Sequence, residues 1–194
     1  IVIPPLALSH DQPGWPSGFA GILEEYDSGT TGLTWSVSNP ATHNSNSTVP
    51  HQLYVNATDV VTRFGTRAWA PSAAFDARCH LALGGVTGFS SGLWVGDTTG
   101  VAGVLVAFIM ANTGCQIQAY SVAGSTLTQR GSTWTVGGHA AFLRVARDGS
   151  NNVVWYWSHD GILWAEISTT SFTFTPAAIG YRLSTANSSV NQTI

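Results

Sequence analysis

The sequence predicts an all-β chain folded as two packed antiparallel sheets. From residue 19 onward no helical period of apolar residues lasts more than a few positions, while runs rich in β-branched and aromatic residues recur throughout. Gly, Asn, Asp and Pro punctuate these runs at the spacing of frequent turns. A third observation sets the scale: 194 residues with 44% hydrophobic content suffice for one domain with its own core and are not disordered by composition.

Taken in order, residues 1–18, "IVIPPLALSHDQPGWPSG", hold four prolines and two glycines, which forbids a regular helix and suits an extended arm or linker. Ile1, Val2, Ile3, Leu6 and Leu8 are costly to leave wet, so they are expected to pack on their own domain or on a neighbouring subunit. Residues 19–186 form the sandwich, with strands expected at 20–26, 33–37, 51–56, 58–64, 74–84, 92–96, 101–110, 115–122, 126–130, 140–147, 153–158, 162–167 and 178–184. The polar stretch 38–50 reads as a surface loop, and residues 187–194 as a C-terminal tail. The apolar run "VAGVLVAFIMA" is about half the length of a membrane-spanning helix and reads as a buried strand, so no membrane insertion is expected. The chain begins Ile-Val-Ile rather than with Met, as in a fragment or processed product.

Charge narrows the partners. Only 9% of residues are charged, lysine is absent and the formal net charge is -3, a balance unsuited to gripping a phosphate backbone; nucleic acid is not an expected ligand. So few ions suit a surface packed against copies of itself or against other subunits. Cys79 and Cys115 match neither a zinc ligand set nor a redox pair, and a single disulfide and two buried free thiols both stay open. The histidines at 10, 43, 51, 80, 139 and 159 lack the pairing of a metal site. Asn46, Asn56, Asn187 and Asn191 open N-x-Ser/Thr sequons, which matter only in a secreted eukaryotic setting.

The densest information lies in "VARDGSNNVVWYWSHDGILWAEI". Asp148-Gly149 and Asp160-Gly161 sit where hairpins reverse, because Asp tolerates and Gly prefers positive φ, which makes 140–167 a three-stranded meander. The two-residue period puts Trp155 and Trp157 on one face and Tyr156 on the other. One set is core and the other points outward, and the pattern does not say which. If Trp155 and Trp157 point outward beside Arg144, they form a ladder suited to stacking on sugar C–H faces and bonding hydroxyls.

The segment "FLRVARDGSNNVVWYWSHDGILWAEI" resembles the final meander of concanavalin A-like jelly-roll domains of the laminin-G and glucanase type. Upstream, "LTWSVSNPAT", "HQLYVNATDVVTRFGTRAW", "FDARCHLAL" and "GLWVGD" are similar in order to earlier strands of such sandwiches, and "AAIGYRLST" to the closing strand. The resemblance covers about residues 19–186 and implies a fold, with no function attached. The turn "SHDGILW" is also similar to the Asp-box of sialidase-like propellers, one residue short, but in a single copy the favoured reading is that Ser158 and Asp160 tie down a hairpin.

Glycoside hydrolases of this fold resemble one another in a Glu-x-Asp-x-x-Glu strand. That motif is absent here, and Glu24, Glu25 and Asp27 have the wrong spacing for an acid and nucleophile pair. There is no Gly-x-Ser-x-Gly elbow and no phosphate loop, so no catalytic residue is assigned and the chain is expected not to be an enzyme. No cofactor is expected. Calcium stays an open alternative on Asp59 and Asp97, each able to give one oxygen where 6 to 8 are wanted. The tentative glycan-binding set is Trp94, Arg144, Trp155, Trp157 and His159. A lysine-free, Gly/Ser/Thr-rich, weakly charged sandwich with an apolar arm resembles phage tail, fibre and head-decoration domains. That resemblance implies a virion-surface protein attaching to host-surface carbohydrate and contacting other virion subunits or copies of itself. The alternatives are a secreted carbohydrate-binding module and a glycoside hydrolase.

Overall fold

The computed structural model describes residues 34–35, 43–45, 53–57, 62–71, 73–82, 88–112, 114–124, 126–138, 140–185 and 190–193. Among them run strands β1 (Thr34–Trp35), β2 (His43–Ser45), β3 (Leu53–Ala57), β4 (Thr62–Ala68), β5 (Phe75–Ala82), β6 (Phe89–Gly96), β7 (Gly103–Ala111), β8 (Gly114–Ala123), β9 (Thr126–Val136), β10 (Ala140–Arg147), β11 (Asn152–Ser158), β12 (Ala165–Ser171), β13 (Ala178–Thr185) and β14 (Val190–Thr193). They close into two seven-stranded antiparallel sheets, the first ordered β1-β4-β13-β6-β7-β8-β9 and the second β12-β11-β10-β5-β14-β3-β2. No described element is a helix, as the strand pattern predicts.

The core lies between the sheets. From the first sheet Leu93 and Val95, Val104, Val106 and Phe108, and Ile117 and Ala119 point inward. From the second sheet Phe75, Ala77 and Leu81, Leu143 and Val145, and Val153, Trp155 and Trp157 meet them. Each fully buried aliphatic or aromatic side chain of this kind contributes about 1.5–3 kcal/mol. β8, β10 and β11 alternate buried and half-buried positions, the signature of a strand with one face in the core. β7 does not alternate: Gly103 to Phe108 are all buried, which is why its sequence is continuously apolar. Its second face belongs to another apolar cluster, Trp94, Leu105, Ala107 and Val122, on the side of the first sheet turned away from the core.

Trp94 shows how glycine makes room there. Its indole lies flat along the sheet over Gly96 and Gly103, where an added Cβ would sit 2.3 Å and 2.7 Å from ring carbons, and its Nε1 donates to the carbonyl of Asp97 at 2.9 Å. The Asp97 carboxylate is spent on its own loop, accepting from the backbone N–H groups of Thr99, Gly100, Val101 and Ala102 and from the Thr99 hydroxyl. Burial tends to raise its pKa, and these N–H groups outweigh that and hold it low. Asp97 thus has a turn-forming role, and Asp59 lies outside the described residues. Among the described residues no three His, Cys, Asp or Glu side chains come together as a metal site.

Several expectations shift. The strand expected at 162–167 is β12, Ala165–Ser171, because residues 159–164 are consumed by a hydrogen-bonded loop. β9 continues past the expected 130 to Val136, with Gly131 at φ 69° carrying the chain through an irregularity opposite β8. The stretch 38–50, read as a loop, contains β2, and 187–194, read as a tail, contains β14 paired with β3. The strand expected at 20–26 and the arm with Ile1, Val2, Ile3, Leu6 and Leu8 lie outside the described residues. Cys79 and Cys115 are free thiols on different sheets.

A buried arginine ties the sheets' connection together. Arg147, 5% exposed, donates from Nε to the Ala73 carbonyl at 2.7 Å and from Nη1 to the Phe174 carbonyl at 2.8 Å. Its guanidinium lies 5.1 Å from the Phe75 ring and 4.8 Å from that of Phe174, so cation–π contact partly replaces lost hydration. It thereby pins the segment that passes from β12 in the second sheet to β13 in the first.

Candidate functional site

Because β10 and β11 place Leu143, Val145, Trp155 and Trp157 inward, the alternate residues Arg144 and Tyr156 must face out. Pairing with β5 and β12 extends this into a row across four strands: Arg78, Arg144, Tyr156 and Glu166 stand at facing positions. His80 faces Phe142 in the next row, with rings stacked at 4.4 Å.

Two arginines directly opposite each other on adjacent strands repel. Asp76, one step along β5, resolves this by accepting from both. Arg144 Nε and Nη2 reach its two oxygens at 2.9 Å and 2.7 Å, and Arg78 Nε and Nη2 reach the same two at 3.1 Å and 2.9 Å. Partial burial tends to raise the Asp76 pKa, and the bonds and charges of Arg78 and Arg144 overcome that and lower it. The Arg144 guanidinium lies 4.7 Å from the Tyr156 ring and 5.7 Å from Trp164, and that of Arg78 lies 5.6 Å from Trp164. Arg144 Nη1 and the Tyr156 hydroxyl make no hydrogen bond among the described residues, and both side chains are half-buried.

Trp164 is delivered by the loop between β11 and β12. The Ser158 hydroxyl donates to Asp160 Oδ1 at 2.8 Å and accepts from the Gly161 N–H at 2.9 Å, while Asp160 Oδ1 accepts from the N–H groups of Ile162 and Leu163. Those backbone donors hold the Asp160 carboxyl low. Gly161, at φ 73°, lies against Phe142 so closely that a Cβ would meet the ring at 3.2 Å. The Ser-x-Asp-Gly sequence is thus a rigid tie that folds the loop over the outward face.

Of the five residues expected to contact a glycan, Arg144 alone lies in this site. Trp94 and Trp155 are 0% exposed and Trp157 is 8% exposed, so none offers a ring face to a ligand. The expected Trp155 and Trp157 ladder is corrected to core, because their strand face is the one that meets the first sheet. Trp94 is corrected likewise: its indole is enclosed by Leu105, Val122 and the glycine-lined strands beside it. His159 is exposed and meets the edge of Trp157 at 4.5 Å, apart from the Arg144 row. Asp76, Arg78, Tyr156 and Trp164 escaped the sequence reading. The signal for Tyr156 was its opposite parity to the two tryptophans; nothing local linked Asp76 to Arg144.

The geometry supplies donors, acceptors and flat apolar surface. Asp76 is committed to two guanidiniums, which keeps it anionic and unsuited to donating a proton.

No protein-family model and no curated protein sequence matches the chain. Solved structures do match in shape. The β-glucanase of Bacillus licheniformis superposes with TM-score 0.57 at 12% identity, over 88% of this chain and 92% of its own. The fold is a concanavalin A-like jelly roll. Within it the chain is also similar to the carbohydrate-binding module CBM66 from Bacillus subtilis, with TM-score 0.58 and 11% identity over 86% of this chain and 94% of that one. A xylan β-1,4-xylosidase from Bacillus halodurans matches with TM-score 0.68 and 14% identity over 94% of this chain; the chain spans only 40% of that enzyme's length.

Proposed function

We propose that the chain is a non-catalytic glycan-binding sandwich whose contact surface is the outward face of β5, β10 and β11. The observation that carries this is the Arg144–Tyr156–Trp164 arrangement, in which a guanidinium fixed by Asp76 sits beside two half-buried aromatic rings. Carbohydrate recognition calls for such a combination, apolar rings for C–H faces and fixed hydrogen-bonding groups for hydroxyls. The carbohydrate-binding and glucanase-type neighbours support the reading at the level of fold. A non-catalytic role is favoured because Asp76 is tied up by two arginines and Asp160 by backbone N–H groups of its own loop, which leaves Glu166 without a second uncommitted carboxylate beside it among the described residues.

Retention on a panel of insoluble polysaccharides tests the proposal. Tyr156→Ala and Trp164→Ala are each expected to lower affinity about fivefold or more, in line with the roughly 1 kcal/mol that a ring contact contributes. Gln118→Ala, on the outward face of the first sheet, is expected to bind as the parent does. Loss of binding in Gln118→Ala alone, or release of soluble sugar from the panel by the parent chain, would overturn it.

A setting on a virion surface, with attachment to host carbohydrate, is the finer form of this proposal. Its support is the lysine-free, weakly charged composition. Assembly into a trimer or larger that fails on removal of residues 1–8 agrees with that setting, and a monomer indifferent to the truncation counts against it.

A further inference from the structure

The charges around the Arg144 row bear on what kind of sugar fits there, a question that rests on the glycan-binding reading above. Arg78 and Arg144 bring two positive charges to the outward face. Asp76 lies between them and takes two hydrogen bonds from each. Glu166 stands directly across from Tyr156 on β12, exposed, its carboxylate accepting from the Thr169 hydroxyl at 2.6 Å. Asp160 sits in the loop that delivers Trp164, and bonds to backbone N–H groups hold its carboxyl in the charged form. His80, beside the row, has its pKa lowered by burial and adds no cation at neutral pH. Two positive charges therefore share this face with two negative ones, Asp76 and Glu166, among the described residues, so the arginines create no net attraction for an anion.

We infer that this surface selects uncharged over acidic glycans. A carboxylate on an incoming sugar would compete with Asp76 for guanidinium N–H groups that are already bonded, and it would approach Glu166 across from Tyr156. An uncharged sugar meets no such conflict. Its vicinal hydroxyls, each both donor and acceptor, match a row in which the free N–H groups of Arg144 Nη1, the Tyr156 hydroxyl and the Glu166 carboxylate alternate donor and acceptor character. The Trp164 ring, held beside both guanidiniums, is left to carry the C–H face.

Binding of the intact chain to soluble polymers separates the outcomes. The probes are neutral hydroxyethyl cellulose, arabinoxylan and laminarin, and acidic carboxymethyl cellulose, polygalacturonate and alginate, each at about 20 mM and 200 mM salt, a span over which screening of exposed charges changes strongly. The expected result is binding of at least one neutral polymer, insensitive to salt, with every acidic polymer about tenfold weaker or more. Glu166→Gln removes one carboxylate at an exposed position and is expected to narrow the neutral-over-acidic preference about threefold. Tighter binding of an acidic polymer that weakens steeply with salt overturns the inference while leaving glycan binding intact. An unchanged preference in Glu166→Gln overturns the part assigned to that carboxylate. Binding of neither class overturns the glycan reading itself, and this inference with it.

Discussion

Asp76 is the residue on which the outward surface turns. It makes an otherwise repulsive Arg78–Arg144 pairing tolerable and fixes the Arg144 guanidinium over Tyr156. Asp76→Asn is expected to destabilise the fold by about 1–2 kcal/mol, a value discounted for the partial exposure of the group, because it removes the negative charge that bridges two opposed cations. The pH dependence has a definite sign. The folded pKa is depressed below the ordinary 3.8, so the Asp76 contribution is complete above that value and is lost as pH falls through the lower, folded one. Urea denaturation at pH 6 and at decreasing pH below about 4 checks both points: the difference between parent and Asp76→Asn should shrink as acid protonates the parent's carboxyl, and a difference constant with pH would contradict this. None of it was legible from the sequence at this scale. Arg144 stood out beside the tryptophans, but its partner lies 68 positions away and only strand pairing brings the two together.

Among the elements, the meander β10–β11–β12 was the most legible part of the chain. Alternation fixed β10 and β11 closely, and it correctly separated Trp155 and Trp157 from Tyr156 while leaving open which set was inside. The choice depends on which face of the second sheet meets the first, a tertiary fact with no local signature. β12 was displaced because the Ser158 and Asp160 side chains bond the backbone of the following residues and hold them out of the ladder. The structure puts Trp157 in the core against Leu143 and near Trp134. Trp157→Ala is therefore expected to cost roughly 3–5 kcal/mol and to lower the thermal midpoint sharply, without a separate loss of ligand contacts in the fraction that stays folded. A variant that unfolds like the parent but no longer binds would return Trp157 to the ligand site.

At the scale of the whole molecule, the sequence carried the fold class but not the connectivity. Strand character and turns are local properties, and they announce an all-β sandwich. The insertion of β13 between β4 and β6, and of β14 between β5 and β3, is not local, and no pattern within either strand announces it. The same division holds for the apolar content. The sandwich interior took Trp155 and Trp157, which the sequence pattern made attractive as a ligand platform, and the outward face of the second sheet kept Tyr156 and Trp164. The account as a whole claims that these tryptophans hold the fold while the Arg144 face meets the ligand. Titration of ¹⁵N-labelled protein with a bound neutral polysaccharide fragment, followed through the indole N–H resonances, tests that claim most directly. The Trp164 signal should move while those of Trp155 and Trp157 stay in place; movement of the latter two with Trp164 unaffected would contradict it.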